Sequence, residues 1–291
     1  MATLPGLLKE KICLVTGATS GVGFATARGF ARLGGKVILI GRDERKCSRR
    51  VTAIQRAVPD GSVEYLTADL SSQAQIRVLA EEFKRRFTRL DVLVNNAGGY
   101  FRKRELSVDG LEMTFALNHL SYFLLTNLLL DVLMQAPSAR IVNVSSCAHE
   151  GAKMDFENLQ GEIQYVRSRA YHQSKLANLL FTYSLARRLA HTRVTVNALH
   201  PGYVRSNLGS NNNWLKKKLI NLLDRRMVSP EEGARTSIYL ASSPDVEGVS
   251  GRYFDQCKEI RSSEASYDER TMEQLWSLSE RLTGLHSNPR P

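Results

Sequence analysis

The sequence predicts an α/β protein: a doubly wound, mostly parallel sheet of seven strands with helices on both faces. Three observations predict it. Short apolar runs alternate with helical patterns along nearly all of the 291 residues. The runs are apolar throughout, as in strands buried on both faces of a parallel sheet. A glycine-rich turn, from Gly17 to Gly23, joins the first strand to the first helix.

The expected strands are 11–16, 36–40, 63–68, 91–94, 140–145, 193–199 and 252–254, with helices near 21–34, 43–57, 72–89, 109–136, 172–191 and 230–241. Crossovers between parallel neighbours should be right-handed. Ser229-Pro230-Glu231-Glu232 is a helix start, with serine as cap, proline in the first turn and glutamate reaching back. Met272, Leu275, Trp276, Ser279 and Leu282 share one face of a terminal amphipathic helix over 268–284. The run 113–130 carries no formal charge and nears the length of a membrane span. It holds Asn118, His119, Ser121, Thr126 and Asn127, so a long helix buried on both sides is the better account. No linker or repeat divides the chain, and residues 1–291 read as one domain.

An apolar share of 43% with 24% charged residues is that of an ordinary globular protein. The net charge of +11 sits in scattered clusters that solvated faces explain for the most part; a polyanionic cofactor or an acidic membrane surface would draw on the rest. No nucleic-acid-binding motif accompanies it. Cys13, Cys47, Cys147 and Cys257 lack metal-ligand spacing and read as reduced thiols in a cytosol-like compartment. Asn143-Val144-Ser145 matches a glycosylation acceptor, but inside an expected buried strand it reads as a chance match. Residues 1–11 are too short and polar for a signal peptide or anchor.

The glycine turn carries the first chemistry. At the end of an apolar strand and the start of a helix, Gly17, Ser20, Gly21, Val22 and Gly23 suit a pyrophosphate, which backbone N–H groups and the positive helix end would hold. This makes the fold Rossmann-type. The second feature is Tyr171-His172-Gln173-Ser174-Lys175, which sets a phenol and an ammonium four residues apart on one helix face. Free tyrosine ionises near ~10. A cation beside it should favour the phenolate, as acid–base work near neutrality requires. Among ten tyrosines only Tyr171 has this partner.

Together with Asn95-Asn96-Ala97-Gly98, these motifs resemble the short-chain dehydrogenase/reductase family over roughly residues 11–285. The wording at 140–146, 158–162, 171–178 and 200–202 resembles its retinol dehydrogenase-like branch, although the N-terminal hydrophobic segment of membrane-anchored members is missing. The resemblance implies hydride transfer between a nicotinamide and a carbonyl/alcohol pair. Tyr171 would be the acid/base, and Lys175 would lower its pKa and hold the nicotinamide ribose. Ser146 would polarise the carbonyl, and Asn118 would hold a water relaying protons to the lysine. The resemblance also places Asp69 and Leu70 at the adenine, Asn95, Ala97 and Gly98 along the nucleotide pocket, and Pro201, Gly202, Val204 and Ser206 in the loop over the nicotinamide. Asp69 could otherwise cap the following helix.

Cofactor choice is argued locally. Where a carboxylate would hold the ribose 2′-hydroxyl of NAD, the chain has neutral Gly41, and Arg42 follows. A guanidinium suits a phosphate, so NADP(H) is the expected cofactor; a basic helix start, with Arg42 paired to Asp43, would be the plainer reading. Ser146 and Tyr171 are 25 residues apart, farther than in compact members, so residues 149–169 form an inserted excursion. Its Phe156 and Tyr165 suit a substrate wall or plain packing. Residues 205–228 are the expected lid, whose Trp214, Leu215, Leu219, Ile220, Leu222 and Leu223 favour an apolar substrate such as a lipid, retinoid or steroid-like carbonyl or alcohol. The same residues could seal a homo-oligomer or rest on a membrane surface, so the expected cytoplasmic protein is left open to peripheral membrane contact. From another class, the alternative is a non-catalytic NADP(H)-binding regulatory or scaffold protein.

Overall fold

The computed structural model describes residues 6–204 and 227–285. Ser206 and nearly all of the expected lid lie outside them. Seven of the strands fall where the apolar runs are: β1 (Ile12–Thr16), β2 (Lys36–Gly41), β3 (Val63–Thr67), β4 (Val92–Asn95), β5 (Ala139–Val144), β6 (Val194–His200) and β7 (Tyr253–Asp255). All seven pair in parallel, in the order β3-β2-β1-β4-β5-β6-β7.

An eighth strand, β8 (Lys258–Ile260), corrects the expected count of seven. It pairs antiparallel with β7 through a two-residue hairpin in which Gln256 and Cys257 both have positive φ, 48° and 62°. That is the backbone of a type I′ turn, whose usual sequence signal is Asn-Gly or Asp-Gly. Gln-Cys gives no such signal, and all three β8 residues are exposed, so no apolar run betrays the strand.

Alternation within the apolar strands builds one core on each face. Val15, Val37, Leu39, Val92 and Val94 pack against Phe30 and Leu33 by α1 (Gly21–Arg32), Ile54 of α2 (Glu44–Ala57) and Leu240 of the helix Pro230–Ser242. Leu14, Ile38, Ile40, Leu93 and Ile141 point the other way, onto Ile76, Leu79 and Phe83 of α3 (Gln73–Arg86) and onto Phe123 and Phe181. The central strands β1, β2 and β4 are therefore wetted on neither side, which is why their sequences read as nearly continuous hydrocarbon.

Phe123 belongs to α4, residues 113–128, and Phe181 to α6 (Arg167–Arg188). α4 was expected as part of one helix over 109–136. It is instead segmented: Met113–Phe115, a π-helical turn Ala116–Leu120, then Ser121–Leu128, before the separate α5 (Leu130–Met134). No helix among the described residues is long and apolar enough to cross a membrane. α6 begins at Arg167, about a turn before the expected start at 172, so Tyr171 sits inside the helix rather than at its opening. The capping box at Ser229 starts α7 (Pro230–Ser242). Asp268 caps α8 (Glu269–Thr283), which stops at Gly284 in the left-handed conformation and buries Met272, Leu275, Trp276 and Ser279 against the body.

The chain runs outward through β1, β2 and β3, then returns to β4 on the other side of β1. At such a reversal the loops leaving two neighbouring strands diverge and open a crevice at their carboxyl ends. Here those loops start at Gly17 and Asn96.

Candidate active site

The floor of the crevice is tied together by Thr16, the last residue of β1. Its Oγ1 donates to Val94 O at 3.2 Å and accepts from the N–H groups of Asn96 (2.8 Å) and Ala97 (3.0 Å). Asn96 Nδ2 donates to Thr16 O at 2.8 Å. The glycine turn is pressed on to this knot. A Cβ on Gly23 would lie 2.5 Å from Gly17 O and 2.4 Å from Asn96 Nδ2, so only a glycine fits there. Gly23→Ala is therefore expected to weaken dinucleotide binding about tenfold to a hundredfold, the cost of overpacking by roughly 1–3 kcal/mol. A fluorescence titration of the purified protein with reduced nicotinamide dinucleotides would show it.

Around the turn, Ser20 is exposed at the start of α1 and its side chain makes no capping bond. Val22 and Val204 converge on Gly233 of α7, where a Cβ would meet Val204 Cγ2 at 2.6 Å, Pro201 O at 3.0 Å and Val22 Cγ2 at 3.1 Å. The loop through Pro201, Gly202 and Val204 is thus seated on the α1 end of the crevice. Gly202 has φ +80°.

Gly41, at the end of β2, has a packing reason. A Cβ would lie 2.5 Å from Thr19 Cγ2 and 2.8 Å from Cys47 Sγ, so the space that an acidic side chain would need is filled. Arg42 beside it is exposed and has no ion-pair partner among the described residues. Asp43 instead caps α2 through Lys46 N–H at 2.9 Å and lies 3.8 Å from Lys46 Nζ, which disposes of the Arg42–Asp43 pair. Arg50 Nε donates to Thr19 O at 2.9 Å and holds the turn from behind.

Two expected pocket residues are placed differently. Asn95 is fully buried; its Nδ2 donates to Thr126 Oγ1 and to Asn143 Oδ1, each at 2.9 Å. Its side chain fastens β4 to β5 and α4 and does not line the crevice, which corrects the expectation; the neighbouring Asn96 makes the crevice contacts. The Leu70 side chain is buried in the core beneath α3, leaving only its backbone for a ligand. Asp69 shapes the loop after β3, accepting from Ser71 N–H (2.9 Å) and Ser71 Oγ (2.7 Å). Ser72, not Asp69, caps α3.

On the far side of the crevice four of the expected side chains gather. Ser145 is buried and donates to Lys175 O at 2.8 Å, a structural tie between β5 and α6. Ser146 is half-buried, and its hydroxyl stands close enough to the Tyr171 phenol to favour the phenolate. Lys175 Nζ lies 5.6 Å from the Tyr171 ring centre and donates to Val144 O at 3.0 Å. Asn118 holds the Gly99 peptide at both ends, accepting from its N–H at 2.8 Å and donating to its carbonyl at 3.0 Å. The same amide donates to Ser174 Oγ at 3.0 Å, reaching the residue before Lys175. Its place is the π-helical turn, where the helix ladder widens, a common feature of functional sites. A Cβ on Gly98 would come within 3.3 Å of Asn118 Oδ1 and 3.9 Å of Lys175 Nζ. Asn96, Thr16 and Ser174 are the members of the site that the sequence did not single out.

The electrostatics differ from expectation. Burial pushes the Tyr171 phenol up to about 12, with the Ser146 hydroxyl drawing it partly back. Burial also pushes the Lys175 ammonium down to about 8. Desolvation of both groups outweighs their mutual attraction, because the lysine's proton is aimed at a carbonyl rather than at the phenol oxygen. Neither Phe156 nor Tyr165 forms a free wall: Phe156 packs on the core around Phe115, and Tyr165 Oη donates to Phe101 O at 3.1 Å.

A family model described as short chain dehydrogenase matches residues 11–216. The chain belongs to the short-chain dehydrogenase family. Within it the relatives are of the retinol dehydrogenase-like branch. The chain is 45% identical to retinol dehydrogenase 14 of Mus musculus, over 97% of this chain and 88% of that protein. It is 41% identical to polyprenol dehydrogenase of Homo sapiens, over 95% and 86% respectively. Among solved structures, a protein of Mycobacterium paratuberculosis superposes with a TM-score of 0.78 at 34% identity, covering 97% of this chain and 96% of its own. A short chain dehydrogenase of Shigella flexneri, complexed with NADP, superposes at 0.70 with 24% identity, over 88% of this chain and 100% of its own, a likeness of fold alone.

Membership makes the chain an oxidoreductase that uses a nicotinamide dinucleotide, and the crevice fits one. A Cβ at Gly17 or Gly23 would fill its floor, the Ser20 hydroxyl is unspent at a helix start, and the side chains opposite are amide, hydroxyl, phenol and ammonium.

Proposed function

We propose that this short-chain dehydrogenase interconverts a carbonyl and an alcohol on an apolar substrate with NADP(H), Tyr171 serving as acid/base. One arrangement carries the reading: the Ser146 hydroxyl stands beside the Tyr171 phenol, and Lys175, one helical turn further along α6, lies with Asn118 against Gly98 of the crevice. The cofactor would supply or accept the hydride. Gly17, Ser20, Gly21, Val22 and Gly23 would hold its pyrophosphate, Asp69 its adenine end, and Ala97, Gly98, Pro201, Gly202 and Val204 its nicotinamide half.

Ser146 would donate to the substrate oxygen, where charge develops in reduction. Tyr171 would pass its proton to the same oxygen or take it back in oxidation. Asn118 would keep Gly99 and Ser174 in place on either side of the pair, and Lys175 would replace the proton that Tyr171 gives up. The family names of the relatives, retinol and polyprenol dehydrogenase, favour an isoprenoid alcohol or its aldehyde. The apolar composition of segment 205–228 favours the same class.

NADP(H) rests on Arg42, an exposed guanidinium beside a position that packing reserves for glycine. A charge-assisted contact is worth about 1.5–3 kcal/mol. Arg42→Ala is therefore expected to raise the NADPH dissociation constant roughly ten- to hundredfold and to leave that for NADH within about twofold. Equal weakening of both would remove the 2′-phosphate role. The substrate class is tested by assaying the purified protein with NADPH against retinoid, polyprenoid and steroid carbonyls beside small polar sugars. Turnover confined to the sugars would overturn it.

A further inference from the structure

We infer that His149 and His200 are positioning residues that fix Ser146 by holding, from opposite ends, the one peptide group that joins Ser146 to Cys147. His149 Nδ1 lies 2.6 Å from Ser146 O, and a carbonyl can only accept, so Nδ1 carries the proton. His149 Nε2 in turn accepts from Ser263 N–H at 3.1 Å, which agrees with that tautomer. His200 Nδ1 accepts from Cys147 N–H at 3.3 Å, so its proton is on Nε2. The two imidazoles are thus held in opposite tautomers, both neutral, one on the oxygen and one on the nitrogen of the same amide. His149 is fully buried and His200 is 8% exposed.

The chain has a reason to grip this peptide. β5 ends at Val144, and Ser145 is tied into α6, so Ser146 is the first residue past the sheet's support. Its side-chain oxygen also caps the short 3-10 turn Cys147–His149 by accepting from Ala148 N–H at 3.2 Å. A hydroxyl that must meet Tyr171 on one side and a substrate oxygen on the other needs its backbone set within about 0.5 Å. Holding the peptide by both its polar ends fixes the plane from which that side chain projects. His200 comes from the end of β6 and His149 from the 3-10 turn, so two separate elements define the position.

Both grips need neutral rings. A proton on His200 Nδ1 would meet the Cys147 N–H head-on, and a proton on His149 Nε2 would meet the Ser263 N–H. Around His200 stand Asp255 of β7, Glu150 and His149 from the excursion, Lys175 of α6, and the Tyr203 ring edge-on at 5.7 Å. The carboxylates favour the imidazolium, while burial, His149 and Lys175 oppose it and prevail, so His200 stays below the ordinary 6.5. Around His149 are Glu150, the Ser146 carbonyl and the Tyr253 ring at 5.0 Å; burial again prevails and lowers it. Turnover should therefore fall on acidification only below about pH 6.5, with the ring protonation that undoes the grip.

This rests on Ser146 being the carbonyl-polarising residue, so the first measurement is independent of turnover. Nitrogen-15 spectra of the histidine rings at pH 7 should show His149 protonated at Nδ1 and His200 at Nε2, both neutral. The Cys147 amide should exchange slowly with solvent, and at least tenfold faster in His200→Phe. The opposite tautomers, or a fast Cys147 amide in the unaltered protein, would overturn the grip itself. The second measurement is kinetic. His200→Phe should lower kcat about ten- to hundredfold, with NADPH affinity and melting temperature little changed, while His200→Asn, whose Oδ1 can accept, recovers most of it and keeps only the part of the acid limb that His149 contributes. If the amide loosens yet kcat stays within twofold, the positioning role falls while Ser146 and Tyr171 are untouched. An unaltered protein that shows the grip but turns over no carbonyl would instead sink the proposed function, and the inference with it.

Discussion

Tyr171→Phe is expected to lose about 10²- to 10⁴-fold in kcat while retaining its affinity for NADPH. The ring it removes an oxygen from is held by packing: Tyr100 meets it edge-on at 5.3 Å, and α6 carries it within its second turn. Phenylalanine keeps both contacts, so the nucleotide crevice should not change. What disappears is the phenol oxygen beside the Ser146 hydroxyl. The pH dependence follows from the raised pKa. With the phenol at about 12, it is protonated throughout the physiological range and is ready to donate in carbonyl reduction. In alcohol oxidation the reactive form is the phenolate, whose share grows as pH rises toward that value, so oxidation should accelerate with pH where reduction does not. Above about pH 8 Lys175 begins to lose its charge, and the stimulation should flatten. Paired rate measurements in both directions, with the phenylalanine variant as baseline, check the magnitude and the sign. A protein whose cellular role survives Tyr171→Phe unaltered would be the regulatory NADP(H)-binding alternative rather than an enzyme.

The parts of this molecule that were legible in the sequence are those written in local pattern. Apolar runs located β1 to β7 within a residue or two, most plainly in the central strands β1, β2 and β4, which are buried on both faces and have little room for a polar side chain. Ser229 and Glu232 located the start of α7 for a similar reason, since a capping box is complete within four residues. The features that escaped depend on what comes together across the chain. Asn95 and Asn96 are indistinguishable as neighbours; only the β4–β5 register, which sets Asn95 beside Asn143, shows that the first belongs to the core and the second to the crevice. Tyr171 and Lys175 could be placed one turn apart, yet whether the lysine lowers the phenol's pKa turns on burial and on where the ammonium points. In this geometry it points to Val144 O. The His149–His200 grip on one peptide joins residues 51 apart and has no sequence signature at all.

The second large effect concerns stability rather than rate, and it lies with His119, next to Asn118 in the π-helical turn. His119 is fully buried among Phe115, Phe123 and Phe181, with ring centres 5.0, 6.4 and 6.2 Å away. Its Nε2 is 2.9 Å from Ser279 Oγ, and since that hydroxyl already donates to Leu275 O at 2.7 Å, the imidazole is the donor. The bond fastens α8 to α4. Burial lowers His119 from 6.5 to about 3, so the folded chain resists a proton that the unfolded chain accepts. The depressed pKa means that full stability is present above pH 6.5 and is lost progressively as pH falls from there toward 3. Between pH 7 and 5 this one residue should cost about 2 kcal/mol. His119→Phe keeps the aromatic packing and removes the titration. Its absolute stability can differ from that of the unaltered chain, because one hydrogen bond to Ser279 goes. The informative quantity is the slope, since every other titrating group is common to both proteins and cancels. Urea unfolding at pH 7 and pH 5 should show the unaltered chain losing about 2 kcal/mol more than the variant; parallel losses would mean that His119 already binds its proton in the folded state.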